Sequence, residues 1–221
     1  MTQNNEKLNL PNDRKSTIIE NPSNLSLFRT SYSILNAWSR GNYSDAIDMF
    51  LKKEKELNSY LKDGIDFHKK WEYVINQTKQ LPKELDRKET KLKNPKCELK
   101  LEIPINDHIE FVGVIDCLDE DILYEFKSGS MSSADYANGL QVDCYSYLLS
   151  MSGYNPTKGM YLHYDQYVSK TDKSLVYLTD NRRQKAKEWI EKQSESMYQY
   201  FIKNNLPLTS PKKLYIIEVA Q

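Results

Sequence analysis

From Tyr43 to Leu61 the apolar side chains Tyr43, Ala46, Ile47, Phe50, Leu51, Leu57 and Leu61 recur at the spacing of one helical face. This pattern predicts an amphipathic helix. Gly64 interrupts or caps it. A second stripe of Ile65, His68, Trp71 and Ile75 runs on toward Pro82 and turns His68 inward with its apolar neighbours. Leu81 to Pro95 is polar and basic, with prolines at both ends, and reads as a connection. Beyond it the period changes to two. Cys97, Leu99, Leu101, Ile103 and Ile105 share one face of a strand and alternate with Glu98, Lys100 and Glu102. A turn at Asn106 to His108 leads into a second strand, Ile109 to Leu118. The acidic turn Asp119 to Asp121 leads into a third, Ile122 to Lys127, so the three form an antiparallel meander.

After the break at Ser128, Gly129 and Ser130, either Ser132 or Ser133 is a suitable cap for a helix running to about Met151. Gly153 and Pro156 end it. Two further strands, Gly159 to Asp165 and Leu175 to Thr179, are joined by the polar segment Ser169 to Ser174. A last helix spans Arg182 to Lys203. The fold expected is α+β: a central mixed sheet containing the meander, flanked by helices. Residues 1–25 are polar and lack apolar periodicity, so a mobile N-terminal arm is expected there. Residues 26–221 then make one domain, with the fold starting near Leu27.

Hydrophobic residues make up 39% and charged residues 28% of the 221, which fits a globular chain. No run approaches the roughly 18 apolar residues of a membrane span, and residues 1–20 hold no apolar signal core. A cytoplasmic location away from membranes is the expectation. Cys97, Cys117 and Cys144 are odd in number and widely spaced, which argues against a disulfide framework or a structural zinc site. Net charge is zero but unevenly spread. Between Lys52 and Lys100 there are 14 Lys or Arg against 9 Asp or Glu, whereas Leu101 to Phe126 carries 8 acids and no Lys or Arg. A basic surround with an acidic centre suits phosphate contacts beside a metal, and equally a set of well-solvated helices.

Chemistry concentrates in the meander. Glu125 and Lys127 are two apart on one strand and share a face. If the preceding turn is the two-residue Glu120-Asp121, Leu118 falls opposite Leu123 and Asp116 opposite Glu125. A three-residue turn puts the two acids on opposite faces. Opposed carboxylates repel unless a cation lies between them, and Asp and Glu oxygens suit Mg²⁺ or Mn²⁺. An ordinary salt-bridged hairpin is the competing interpretation.

The segments Gly113-Val-Ile-Asp116, Glu125-Phe-Lys127 and Gln141-x-x-x-Tyr145, in this order, resemble the RecB-type branch of the PD-(D/E)XK nuclease superfamily. That branch shows G-x-x-D, then (D/E)-x-K on the next strand, then Q-x-x-x-Y on the following helix. Gly64-x-x-x-His68 upstream looks like the branch's histidine motif, and Ser31-Tyr-Ser33 is similar to the S-x-S that opens such domains. The resemblance implies a restriction-endonuclease-like α/β/α fold and a divalent-metal-dependent deoxyribonuclease, an exonuclease on single-stranded or end-containing DNA. It implies that Asp116, Glu125 and His68 bind Mg²⁺ or Mn²⁺, that the Phe126 carbonyl adds a ligand, and that Lys127 is catalytic. Gln141 and Tyr145 would help position nucleic acid. Core packing is the competing role for His68 and Tyr145. The cysteines that hold an iron–sulfur cluster in several relatives are not matched, so no cluster is expected. Nor is there a Walker-type loop, so unwinding would need a helicase or recombination partner. The alternative function is a non-cleaving nucleic-acid-binding or assembly module on the same fold. The aromatic group Tyr161, His163, Tyr164 and Tyr167 is suited either to stacking on bases or to packing.

Overall fold

The computed structural model describes residues 27–52 and 59–209. The expected arm and residues 53–58 of the first expected helix lie outside them. Element order is β1 (Phe28–Ser31), α1 (Tyr32–Ser39), α2 (Tyr43–Phe50), α3 (Ser59–Thr78), β2 (Lys96–Pro104), β3 (Ile109–Asp119) and β4 (Ile122–Ser128). Then follow α4 (Ser133–Ala137), α5 (Gln141–Met151), β5 (Lys158–Asp165), β6 (Lys170–Tyr177) and α6 (Asp180–Lys203).

The strands form one mixed sheet in the order β1-β3-β4-β5-β6, with β2 also paired to β3. β2 runs antiparallel along β3 from Lys96↔Leu118 to Pro104↔Glu110 and so occupies one whole edge of it. The other edge is shared. Phe28–Ser31 pairs in parallel with Ile109–Val112, and Ile122–Tyr124 pairs antiparallel with Cys117–Asp119. Between these two ladders the stretch Gly113 to Asp116 has no strand partner on that edge among the described residues, because β4 swings away to run parallel with β5. The sheet opens at Asp116.

Helices cover both faces, giving the α/β/α restriction-endonuclease-like architecture. On one side α5 and α6 pack with α1 and α2 around Phe28, Leu35, Phe50, Phe111, Leu148, Ile190 and Phe201. Arg182 and Arg183 of α6 reach Asp143 (2.7 Å) and Ser146 (2.8 Å) of α5 and tie the two helices together. On the other side α3 lays Trp71 and Ile75 on Cys117, Tyr124, Phe126 and Leu162. Trp71 is fully buried, and truncating such a side chain to alanine typically costs about 3–5 kcal/mol. No helix among the described residues is long and apolar enough to cross a membrane.

Several sequence expectations are corrected. Strand β1 and helix α1 were not among the expected elements. Gly64 does not end a helix; it lies inside α3, where a Cβ would sit 3.2 Å from Ser128 Oγ, so the glycine admits the end of β4 against the helix. The stripe on α3 is buried at Trp71 and Ile75, but Ile65 is exposed and His68 partly so. The expected helix to Met151 is two helices. Ser132 caps the short α4 through a reciprocal capping box with Asp135, and the chain turns at Asn138 to Leu140 before α5 begins at Gln141. β6 begins at Lys170, five residues before the expected Leu175, because an edge strand tolerates the polar run that argued for a loop.

One further correction matters for the site. Cys97 does not share a face with Leu99 and Leu101. Cys97 and its partner Cys117 pack toward α3, whereas Leu99, Leu101 and Ile115 pack toward α5. The alternation breaks at Glu98, whose φ of +50° kinks the strand opposite Asp116. Such a kink re-aims neighbouring side chains.

Candidate active site

The two-residue turn at Glu120-Asp121 is present, and it sets Leu118 opposite Leu123. The ladder stops one pair short of Asp116 and Glu125. Instead the Phe126 amide donates to Asp116 Oδ2 at 2.7 Å, so a side chain closes the gap where the strands part. Gly113 supports this arrangement from behind. A Cβ there would stand 2.6 Å from Leu148 Cδ2 and 3.1 Å from Tyr145 Cε1, so only glycine lets β3 lie this close to α5.

Glu125 is almost wholly buried. Its Oε2 accepts from Lys127 Nζ at 3.0 Å and from Gln141 Nε2 at 2.8 Å. Gln141 stands in the first turn of α5, which is why the helix break before it matters. Glu125 Oε1 has no hydrogen-bond partner, and leaving a buried carboxylate oxygen unpaired is costly. Burial, then the charge of Asp116, pushes Glu125 up to about 8. Lys127 is held above the ordinary lysine value: burial pulls it down, but Glu125 and Asp116 outweigh that.

His68 Nδ1 lies 3.7 Å from Asp116 Oδ1, too far for a hydrogen bond. Burial lowers its proton affinity and Lys127 adds to this, against the pull of Asp116 and the Phe126 carbonyl. The neutral imidazole is the form that ligates metals. His68, Asp116, Phe126 and Lys127 line a cleft of about 660 Å³ together with Ile65, Lys69, Glu72, Val114 and Glu98. Glu98 is pushed up to about 6 by burial and then by Asp116 and Glu72.

The structure therefore brings together His68, Asp116, Glu125, Phe126, Lys127 and Gln141. Tyr145 is buried behind them against Gly113 and shares a side-chain hydrogen bond with Gln141. Tyr161 and His163 are buried and Tyr164 packs on Phe67, so of that aromatic group only Tyr167 is well exposed. Glu98 and Glu72 were not singled out from sequence. Glu98 reads as one more solvent-facing residue of an alternating strand, and only the kink turns it toward Asp116. Tyr136, whose ring centroid lies 5.7 Å from Lys127 Nζ, was hidden by the same helix assignment that missed the α4–α5 break.

A divalent cation fits these donors. Glu125 Oε1 is an orphaned acceptor, the charge of Asp116 bears on the same carboxyl, and His68, whose proton affinity is lowered, stands by Asp116. Among the described residues no three His, Cys, Asp or Glu side chains converge tightly enough to hold an ion by themselves. Mg²⁺ and Mn²⁺ take one or two carboxylates and fill the rest of their shell with carbonyl, water and substrate oxygens.

A model described as the PD-(D/E)XK nuclease superfamily matches residues 33–206 of the chain. Among solved structures, protein SSO0001 is similar with a TM-score of 0.53 and 13% identity over 76% of each chain. The alkaline exonuclease LHK-Exo from Laribacter hongkongensis aligns with a TM-score of 0.47 and 12% identity over 81% of this chain and 94% of its own. A phage-related exonuclease from Haemophilus somnus 129PT gives 0.47 and 12% over 76% and 83%. No curated protein sequence matches the chain. At such identities the likeness to SSO0001 speaks to the fold alone.

Proposed function

The chain belongs to the PD-(D/E)XK nuclease superfamily, and on that premise we propose that it is a Mg²⁺- or Mn²⁺-dependent deoxyribonuclease of the RecB-type branch, an exonuclease on single-stranded or end-containing DNA. The observation that carries the reading is the buried, unpartnered Glu125 Oε1 beside Asp116, with Lys127 bonded to the same carboxylate. Two acids forced together out of water are unstable unless a cation joins them.

In this reading Asp116, Glu125, His68 and the Phe126 carbonyl hold the ion. A divalent cation held there would supply polarisation of the scissile phosphate and activation of a water at neutral pH. Lys127, kept protonated by Glu125 and Asp116, offers its ammonium to the charge that builds on the phosphate oxygens. Gln141 fixes the Glu125 carboxylate from the helix side, so that Oε2 is committed and Oε1 is presented. The Phe126 amide fixes Asp116 in the same way. Lys69, at the cleft wall, adds a contact for the DNA backbone.

Support for DNA comes from the motif order Gly113 to Asp116, Glu125 to Lys127 and Gln141 to Tyr145. The test is a panel of linear, circular, single-stranded and double-stranded DNA with Mg²⁺, Mn²⁺ or chelator. Degradation of linear or single-stranded forms that stops with chelator is expected, and closed circular duplex is spared. Wild-type protein that neither binds Mn²⁺ nor cleaves any form would favour a non-cleaving module.

A further inference from the structure

His163 is buried to 3% exposure and takes no part in the chemistry above. It lies on β5 opposite Lys127 in the parallel β4–β5 register. Its Nε2 is 2.7 Å from the Gly129 carbonyl, and its Nδ1 is 2.5 Å from Asp172 Oδ1 on β6. Both neighbours accept. A carbonyl has no proton to give. Asp172 is held below the ordinary carboxylate range: burial opposes this, but donors from Ser133 and His163 prevail. Each ring nitrogen thus sits within hydrogen-bond distance of an acceptor, so the imidazole bridges the Gly129 turn and β6.

The two bonds hold two things. Gly129, with φ of +137°, is the turn two residues beyond Lys127, and its own amide donates to Tyr164 at 3.3 Å. Asp172 Oδ2 accepts from the Ser133 amide at 2.7 Å, and Ser133 Oγ meets Ser174 Oγ at 2.8 Å, which anchors the start of α4 to β6. Helix α4 carries Tyr136, whose ring stands 5.7 Å from Lys127 Nζ and 6.2 Å from the His163 ring. The end of the Lys127 strand and the aromatic face over its ammonium are thus fastened to one buried side chain.

We propose that His163 is a positioning residue for Lys127: its ring locks the Gly129 turn directly and, through Asp172 and Ser133, the helix that sets Tyr136 over the ammonium. The proposal deepens the nuclease reading and rests on it. A small misplacement of a group that acts on the transition state lowers turnover by as much as about 100-fold, while ground-state binding by other residues persists. Loss of the clamp therefore lowers kcat and leaves KM.

Two measurements on the full chain test this. Nitrogen-15 NMR of the imidazole rings is expected to show His163 with a slowly exchanging, hydrogen-bonded ring N–H; a ring N–H that exchanges freely with solvent overturns the clamp. This readout does not depend on cleavage. If wild type cuts no DNA the nuclease reading fails, and the NMR result alone then upholds or overturns the clamp. In the Mn²⁺-loaded enzyme, His163→Gln is expected to lower kcat on DNA by about 10- to 100-fold, with KM and Mn²⁺ affinity unchanged and the protein folded at the assay temperature. Asp172→Asn, which keeps an acceptor for the ring, should fall less. A His163→Gln enzyme with wild-type kcat, or one whose KM and Mn²⁺ affinity worsen in proportion to kcat, overturns the proposal.

Discussion

Replacing Glu125 by glutamine should stabilise the metal-free protein at alkaline pH, and the size of the effect follows from the site. Glu125 is pushed up to about 8 in the fold, from an ordinary 4.5. Between those values the folded state holds a proton that the unfolded chain has released. A raised carboxyl contributes stability that is fully present below the unfolded value and is lost as pH rises through the folded one. At about 1.4 kcal/mol per pH unit, the metal-free wild type loses on the order of 4 kcal/mol from this group between pH 5 and pH 8. Glutamine keeps the shape and cannot ionise. Denaturant unfolding in chelator at pH 5, 6, 7 and 8 should therefore show wild type falling more steeply than Glu125→Gln, with the two curves crossing or diverging toward pH 8. Mn²⁺ should restore the wild type at pH 8 and leave the variant nearly unmoved, since binding to the folded state alone stabilises it. Parallel pH profiles for the two proteins in chelator would refute the reasoning, because Glu125 would then be no more burdened in the fold than in the unfolded chain.

Trp71 lies 5.4 Å from His68, ring to ring, so its fluorescence should be quenched by bound Mn²⁺; His68→Ala should weaken that titration by about tenfold or more, and an unchanged midpoint would remove His68 from the ligand set. Gly113→Ala places a methyl 2.6 Å from Leu148 Cδ2 in a closed core, and a loss of about 1–3 kcal/mol by denaturant titration is expected; an unaltered midpoint would mean that α5 can retreat from β3.

Much of this arrangement was legible in the chain before folding was considered. Strand period is local, so the β2–β3–β4 meander was readable, whereas the length of the turn at Glu120-Asp121, on which the faces of Asp116 and Glu125 depend, was open until the fold was seen. What was not legible depends on contacts distant in sequence. Gly64 looks like a helix breaker until Ser128 is seen against it. The run from Ser132 to Met151 looks like one helix, because the stop at Asn138 to Leu140 is set by packing around Gly139 and Tyr32 rather than by a proline. Glu98 keeps strict alternation on paper, yet its left-handed backbone turns it toward Asp116 and sends Cys97 to the other face. Asp116 and Glu125 do not form a regular pair: the ladder opens beside them, and Asp116 takes the Phe126 amide instead. His163 was legible only as one of a group of strand aromatics suited to stacking or packing, because its partners Gly129 and Asp172 lie on other segments.

The central claim, that Asp116, Glu125 and His68 serve a metal while Lys127 serves the phosphate, is tested most directly by the Lys127→Ala enzyme. Its Mn²⁺ affinity and its cleavage of end-labelled linear DNA are to be measured on the same preparation. The account predicts that the variant still binds Mn²⁺ while its cleavage rate falls by at least about 100-fold. Cleavage at the wild-type rate would contradict it.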